Sequence, residues 1–201
     1  MEKMSKISKT VDGYLKVCYW VVVVSVAVFI LMAGIIRFGY HLNEDLVHEK
    51  WTISVGNMDL ELADHVIDNM QVLWTDWTVL GVNVIVGAII SCYGIKLLRK
   101  ILAPMIQEQP FVGTVSGDLR KLGWLTIWGS IVYDLVDNVG NAIVYEAYDI
   151  QNILLSEKIV GVELEFIWLN IETIMLGVLL FLLSHVFCYG EKLQQQDDET
   201  L

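Results

Sequence analysis

Residues 17–36 of this chain contain no charged side chain, and that run constrains the fold more than any other feature. It is rich in Val, Ile and Phe. A helix needs about 20 apolar residues to cross a hydrocarbon core about 30 Å thick, and this run meets that length. Val and Ile are weak helix formers in water. In lipid the backbone must satisfy its hydrogen bonds within the segment, and that demand overrides propensity. A cleavable signal peptide has a shorter apolar core followed by small residues at a cleavage site. Here the run ends in Arg37-Phe38-Gly39-Tyr40, so it reads as an anchor that stays.

Two further uncharged runs, 77–95 and 173–190, are long enough to span, the latter extended outward through Trp168. A fourth segment, 122–145, is mixed. Its first half, LGWLTIWGSIVY, is apolar, and its second half carries Asp134, Asp137, Asn138 and Asn141. One Asp at the bilayer centre costs about 2.5–3.5 kcal/mol on insertion scales, which surrounding apolar residues or a partner helix must offset. Without this crossing the acidic C-terminal tail would lie outside. Hydrophobic residues make up 55% of the chain and charged residues 18%, less charge than a soluble surface requires. The expected fold is therefore an all-α integral membrane four-helix bundle. It forms one domain over 1–201, with spans near 17–37, 77–97, 122–145 and 167–189.

Lys and Arg near span ends set the direction of insertion. The N-terminal segment carries Lys3, Lys6, Lys9 and Lys16; the loop between the second and third spans carries Lys96, Arg99, Lys100, Arg120 and Lys121; the tail adds Lys192. Only Arg37, Lys50 and Lys158 of the 13 basic residues fall in the other two loops. Both termini are thus expected in the cytoplasm. Trp20, Trp74, Trp77 and Trp168 sit near span ends, as interfacial anchors do. Most of the acidic residues lie in the opposite loops, so the net charge of −11 is largely an outer-face property. That balance excludes a direct nucleic-acid binder, which needs basic surface. It allows either attraction of cationic ligands or a merely solvated face.

The first outer loop, about 41–76, is too long for a simple turn. Leu62, Val66, Met70 and Leu73 recur at helical spacing, with Asp64, His65, Asp68, Asn69 and Gln71 between them, which predicts an amphipathic helix. Gly56-Asn57 reads as a turn, and Trp51 to Val55 as a short extended piece. In the inner loop, Gln107 to Phe111 with Pro110 reads as a break after a short helix. Gly113 and Gly117 have GxxxG spacing but lie outside the apolar runs, so no helix-pairing role is assigned to them. Cys18, Cys92 and Cys188 all fall in or beside the spans, which argues against a disulfide framework.

Two cytoplasmic segments carry a resemblance. EQPFVGTVSGDLRKLGW in the inner loop resembles a Glu-x-Pro-Phe, spacer, Leu-Arg-Lys-hydrophobic-Gly pattern, and VFCYGEKLQQQDDETL in the tail resembles aromatic-x-Tyr-Gly, Leu-Gln, then Asp-Glu-Thr-Leu. Together they are similar to bacterial membrane proteins grouped as domain of unknown function family 2975, and the resemblance covers nearly the whole chain. It implies a four-helix bacterial inner-membrane protein of unestablished activity, often encoded beside a small helix-turn-helix regulator. The loop motif maps onto Pro110, Phe111, Leu119, Arg120, Lys121 and Gly123. The tail motif maps onto Tyr189, Gly190, Leu193, Gln194, Asp198, Glu199, Thr200 and Leu201. Ser116 and Gly117 replace an expected Glu/Asn-rich spacer, and Cys188 stands where Arg is expected; if those positions contact a partner, this chain's partner differs.

For chemistry, Asp134 and Asp137 are three residues apart and share a helix face, continued by Asn138 and Asn141. Glu172 lies near the outer end of the fourth span. A polar cluster turned to the bundle interior is the cheapest arrangement, and an intramembrane carboxylate is a functional candidate by default. The competing reading is interhelical glue. His185 is expected as a hydrogen-bonded core residue; His41, His48 and His65 lack tight ligand spacing, so no metal is expected. No Walker loop, GxSxG, HExxH or CxxC occurs, so neither an enzyme nor a cofactor is expected. The leading expectation is a sensory or regulatory membrane protein. It would signal through Pro110, Phe111, Arg120, Lys121, Tyr189, Gly190, Gln194, Asp198 and Glu199 to a soluble cytoplasmic partner such as a helix-turn-helix regulator. The alternatives are a small transporter or channel, which with four helices per chain must be a homo-oligomer, and an immunity protein against cationic peptides.

Overall fold

The computed structural model describes residues 2–42, 52–55, 58–61, 70–107, 114–147 and 170–200. In chain order these form helix α1 (Glu2–Leu42), strands β1 (Thr52–Val55) and β2 (Met58–Glu61), then helices α2 (Met70–Ile106), α3 (Val115–Ala147) and α4 (Ile171–Thr200). Three of the four helices contain stretches long and apolar enough to cross a membrane: Ser5–Ile35, Trp74–Ile106 and Ile171–Gln196. α3 is 33 residues long but is not among them. Asp118, Arg120, Lys121, Asp134 and Asp137 dilute its apolar character.

Each helix outruns the apolar run that nucleates it. α1 begins among the N-terminal lysines, and α4 continues through the polar tail to Thr200. In α2 the apolar face continues at four-residue spacing through Leu97, Ile101 and Met105, so the helix extends past Arg99 and Lys100. Pro104 lies within its last turn, where the chain tightens: Gln107 N–H donates to the Pro104 carbonyl at 3.1 Å. The chain leaves the helix where the break was expected, but the helix it leaves is the 37-residue α2 and not a separate short one; Pro110 and Phe111 lie outside the described residues.

The extended piece anticipated near Trp51 is half of an antiparallel hairpin, with Thr52 paired to Glu61 and Val55 to Met58. Strand β2 was not anticipated, although Met58-Asp59-Leu60-Glu61 alternates apolar and polar residues over the same four-residue length as β1. The Gly56-Asn57 turn and most of the amphipathic helix expected over Leu62 to Trp74 lie outside the described residues. Met70 to Trp74 form the start of α2 itself.

The chain divides into two compact units. The first comprises Met1–Ser25, Ile85–Leu135 and Ile167–Leu201, and the second Val26–Val84 and Val136–Phe166. The buried core of the first unit is Leu97, Ile101, Val115, Leu119 and Leu122, with Met105, Leu125, Leu180 and Phe187 against it. α3 and α4 approach closely there: a Cβ on Gly123 would meet the Gly177 carbonyl at 3.1 Å, and one on Gly177 would land on Ile127 Cγ1. Small residues that let backbones approach are the common device of helix packing in lipid. Apolar side chains of α1 stay exposed, Ile35 at 70% and Leu31 at 65%, a surface that water penalises and lipid does not.

Candidate functional site

The second unit holds a groove of about 400 Å³ lined by Asp76, Trp77, Val79, Leu80, Asn83, Asp137, Asn141 and Val144. Asp137 is one of its polar lining residues. Asn83 Nδ2 of α2 donates to Asp137 Oδ1 at 2.9 Å, and Asn141 Nδ2, one turn along α3, donates to Oδ2 at 3.1 Å. Gly140 makes this approach possible. A Cβ there would sit 2.5 Å from Val79 Cγ1 and 3.9 Å from Asn83 Nδ2, so only glycine lets α2 come this close without displacing Val79. The Phe29 and Trp77 rings, 5.8 Å between centroids, join α1 to α2 in the same unit. The other amide atom, Asn83 Oδ1, is shielded from solvent and accepts no hydrogen bond. An unpaired buried acceptor of this kind costs about 1–3 kcal/mol.

Of the cluster expected from sequence, Asp137 and Asn141 meet directly. Asp134 has a different partner, Ser130 Oγ on its own helix at 3.3 Å. Asn138 is half-buried. Glu172 is exposed in the first turn of α4, where the free N-terminal amides favour a carboxylate. Asn83 and Asp76 were not singled out from sequence. The available signal was Asn83 itself, an amide inside an otherwise apolar run, which in lipid demands a partner.

The first unit holds a different polar structure, a junction where each helix is tied to the next. Ser5 Oγ of α1 donates to the Ile106 carbonyl at the end of α2 at 3.0 Å, and Arg99 Nε reaches Asp12 Oδ1 at 2.8 Å. Lys16 also pairs with Asp12, at 2.9 Å, and Lys96 lies 5.9 Å over the Tyr19 ring. Lys100 of α2 bridges to Asp118 of α3 at 3.0 Å, and Lys121 adds a second contact at 3.3 Å. Asp118 is only 2% exposed, while both ammonium groups reach solvent. Glu191 of α4 caps the start of α3: its carboxylate accepts from Ser116 N–H at 3.4 Å and Ser116 Oγ at 3.1 Å. Ser184 Oγ then donates to the Ser116 carbonyl at 2.8 Å. Ser116, one of the two departures from the resembled motif, thus joins α3 to α4.

Among the residues expected to meet a partner, Arg120, Lys121, Tyr189, Gln194 and Glu199 are exposed, with Tyr189 at 66%. Gly190 is half-buried. Asp198 belongs to α4. His185 is not the core residue expected; it is exposed, with Nδ1 2.9 Å from the Phe181 carbonyl one turn earlier, so its polar atom is satisfied without burial. Cys18, Cys92 and Cys188 are free thiols. Among the described residues no group of three or more His, Cys, Asp or Glu side chains is placed to hold a metal. His48 and His65 lie outside those residues.

Compared with known proteins, the chain matches no family model, no curated protein and no solved structure. The resemblance in the loop and tail rests on those motifs alone.

Proposed function

We propose that this chain is a four-span inner-membrane protein with both termini in the cytoplasm, and that it acts as a sensor or regulator through a soluble partner. The observation that carries the reading is the junction in the first unit. Its polar contacts link α1 to α2, α2 to α3 and α3 to α4, among the residues that the Lys/Arg distribution assigns to the cytoplasm. A shift of one helix there changes the partners of the others. Arg120, Tyr189, Gln194 and Glu199 stand exposed on α3 and α4 as a surface on which such a shift is read. α3 crosses the bilayer in this reading because its carboxylates at Asp134 and Asp137 hydrogen-bond within the protein.

Co-purification from mild detergent tests the reading. A soluble helix-turn-helix regulator encoded beside the gene should be recovered with the intact chain. It should be lost when Tyr189, Gln194 and Glu199 are changed together to Ala. Repeated failure to recover it with loop and tail intact overturns the proposal. Reporter fusions at Lys100 and at the carboxyl terminus test the topology; reporters on opposite sides of the bilayer refute four spans.

The groove beside Asp137 favours a second reading, a small oligomeric transporter. Under it, flux into proteoliposomes is abolished by Asp137→Asn. Under the regulatory reading that change alters signalling or stability only.

A further inference from the structure

We propose that the face shared by α3 and α4 at the cytoplasmic end of the first unit holds a phospholipid with a net negative headgroup. The inference goes beyond the regulatory reading, and it rests on the four-span reading only for the depth of the aromatic residues involved.

The face carries an aromatic cluster that water does not suit. Trp124 and Trp128 of α3 are both exposed, and their rings stack with centroids 6.4 Å apart. Phe181 of α4 meets Trp124 edge to face at 5.3 Å, so the cluster is anchored across both helices. It lies in the uncharged stretch 122–133, which is inside the bilayer when α3 crosses it. Indole rings near the edge of the hydrocarbon are common anchors at headgroup level.

Helical spacing places free cations at one end of this cluster. Arg120 precedes Trp124 by four residues and Trp128 by eight, so the three share a stripe of α3 about 12 Å long. On α4, Lys192 lies eleven positions after Phe181 and shares its face. The two helices run antiparallel: Ser116 meets Glu191, and Gly123 approaches Gly177. Arg120 and Lys192 therefore lie toward the same end, the one that the Lys/Arg distribution assigns to the cytoplasm. Both are exposed, and their side chains make no hydrogen bond or ion pair among the described residues. The carboxylates nearest in sequence are committed elsewhere. Asp118 is buried against Lys100 and Lys121, and Glu191 is buried against Ser116. The surface is thus cationic at its rim and aromatic below. A phospholipid phosphate answers the rim, and its acyl chains cover the rings. A soluble anion leaves the tryptophans uncovered, and a neutral headgroup leaves both cations unanswered.

Thermal unfolding of the full chain in an uncharged detergent tests this. Dioleoyl phosphatidylglycerol is titrated into the micelles, with dioleoyl phosphatidylcholine and inorganic phosphate in parallel at constant ionic strength. The expected result is a saturable rise in Tm with phosphatidylglycerol, a weaker one with phosphatidylcholine and none with phosphate. Arg120→Gln should weaken the phosphatidylglycerol response about fivefold, the share of one cation near an anionic surface, and adding Lys192→Gln should weaken it further. Trp128→Ala should weaken it with every charge in place. Lys9→Gln on α1 removes another exposed cation without an ion pair and should leave it unchanged. No saturable rise, equal rises with both lipids, an equal rise with phosphate, or equal losses in Arg120→Gln and Lys9→Gln overturns the proposal. If Trp128→Ala fails to fold, the lipid comparison and the Arg120 and Lys9 variants still decide. Reporter fusions read the topology separately: fusions that refute four spans while the phosphatidylglycerol response persists sink the topology alone, and the reverse sinks only the lipid site.

Discussion

The two polar regions handle their carboxylates in different ways. In the first unit, Asp118 meets two lysines whose ammonium groups reach water, and Glu191 meets the first-turn amide and hydroxyl of another helix. In the second, Asp137 meets two amide groups among the described residues. Long basic side chains can satisfy a carboxylate and still keep their charge in solvent, so the junction suits the end of a helix bundle. A short amide carries its donor without a charge that must be solvated, so it is the cheaper partner within an apolar run. The cost of the second arrangement is the leftover oxygen of Asn83. Lysines thus answer Asp118 at the junction, while Glu191 there and Asp137 beside the groove are met by neutral donors.

Substitutions can break or sharpen that contrast. The largest effect is expected where backbones touch. Gly177→Val drives a side chain into Ile127 and the Gly123 carbonyl and should cost about 3 kcal/mol in a reversible unfolding titration. Gly140→Ala, opposed only by the movable Val79 side chain, should cost less; an equal loss would mean the groove is as tightly built as the junction. Asp118→Ala should follow at about 1–2 kcal/mol, because the lysines it abandons are already in contact with solvent. A loss above that range would show that Lys100 and Lys121 depend on Asp118 for more than solvent offers.

Glu191→Ala, which uncaps α3, should cost about 1 kcal/mol. Ser116→Ala should reproduce part of that loss, and a double-mutant cycle should show the two coupled. In the groove, the same cycle between Asn83→Ala and Asp137→Ala should give a coupling near 0.6 kcal/mol, typical of interhelical hydrogen bonds in membranes. A coupling of several kcal/mol would place that pair on the same footing as the junction. The smallest effect is expected outside both regions. Gly13→Ala, in open space on α1, should stabilise by about 0.5 kcal/mol, and melting temperature checks the sign.

Helix positions were legible in the sequence wherever composition is local. The uncharged runs at 17–36, 77–95 and 173–190 lie within α1, α2 and α4, because hydropathy sums along a segment without reference to distant residues. Asp137 stood out for the same reason, as a charge inside a span. Asn83 did not, since a lone amide in an apolar run carries little weight in a hydropathy sum. Ser184 and Glu191 were equally silent, one small and common and the other in a segment read as a polar tail, and Ser116 stood out only as a departure from the resembled motif, not as a link between helices. Strand β2 was missed although Met58 to Glu61 alternates apolar and polar residues; Asp59 and Glu61 counted only as acidic loop charge.

What the chain determined unaided is where its helices run and which stretches have the length and apolarity to cross a membrane. Both depend on neighbours within a few turns, so a linear reading reaches them. Which carboxylate meets lysine, which meets an amide and which oxygen is left unpaired were decided only in three dimensions. Asn83 and Asp137 are 54 positions apart and Ser116 and Glu191 75. Contacts at such separations follow from helix rotation and close glycine approach, which no local pattern encodes.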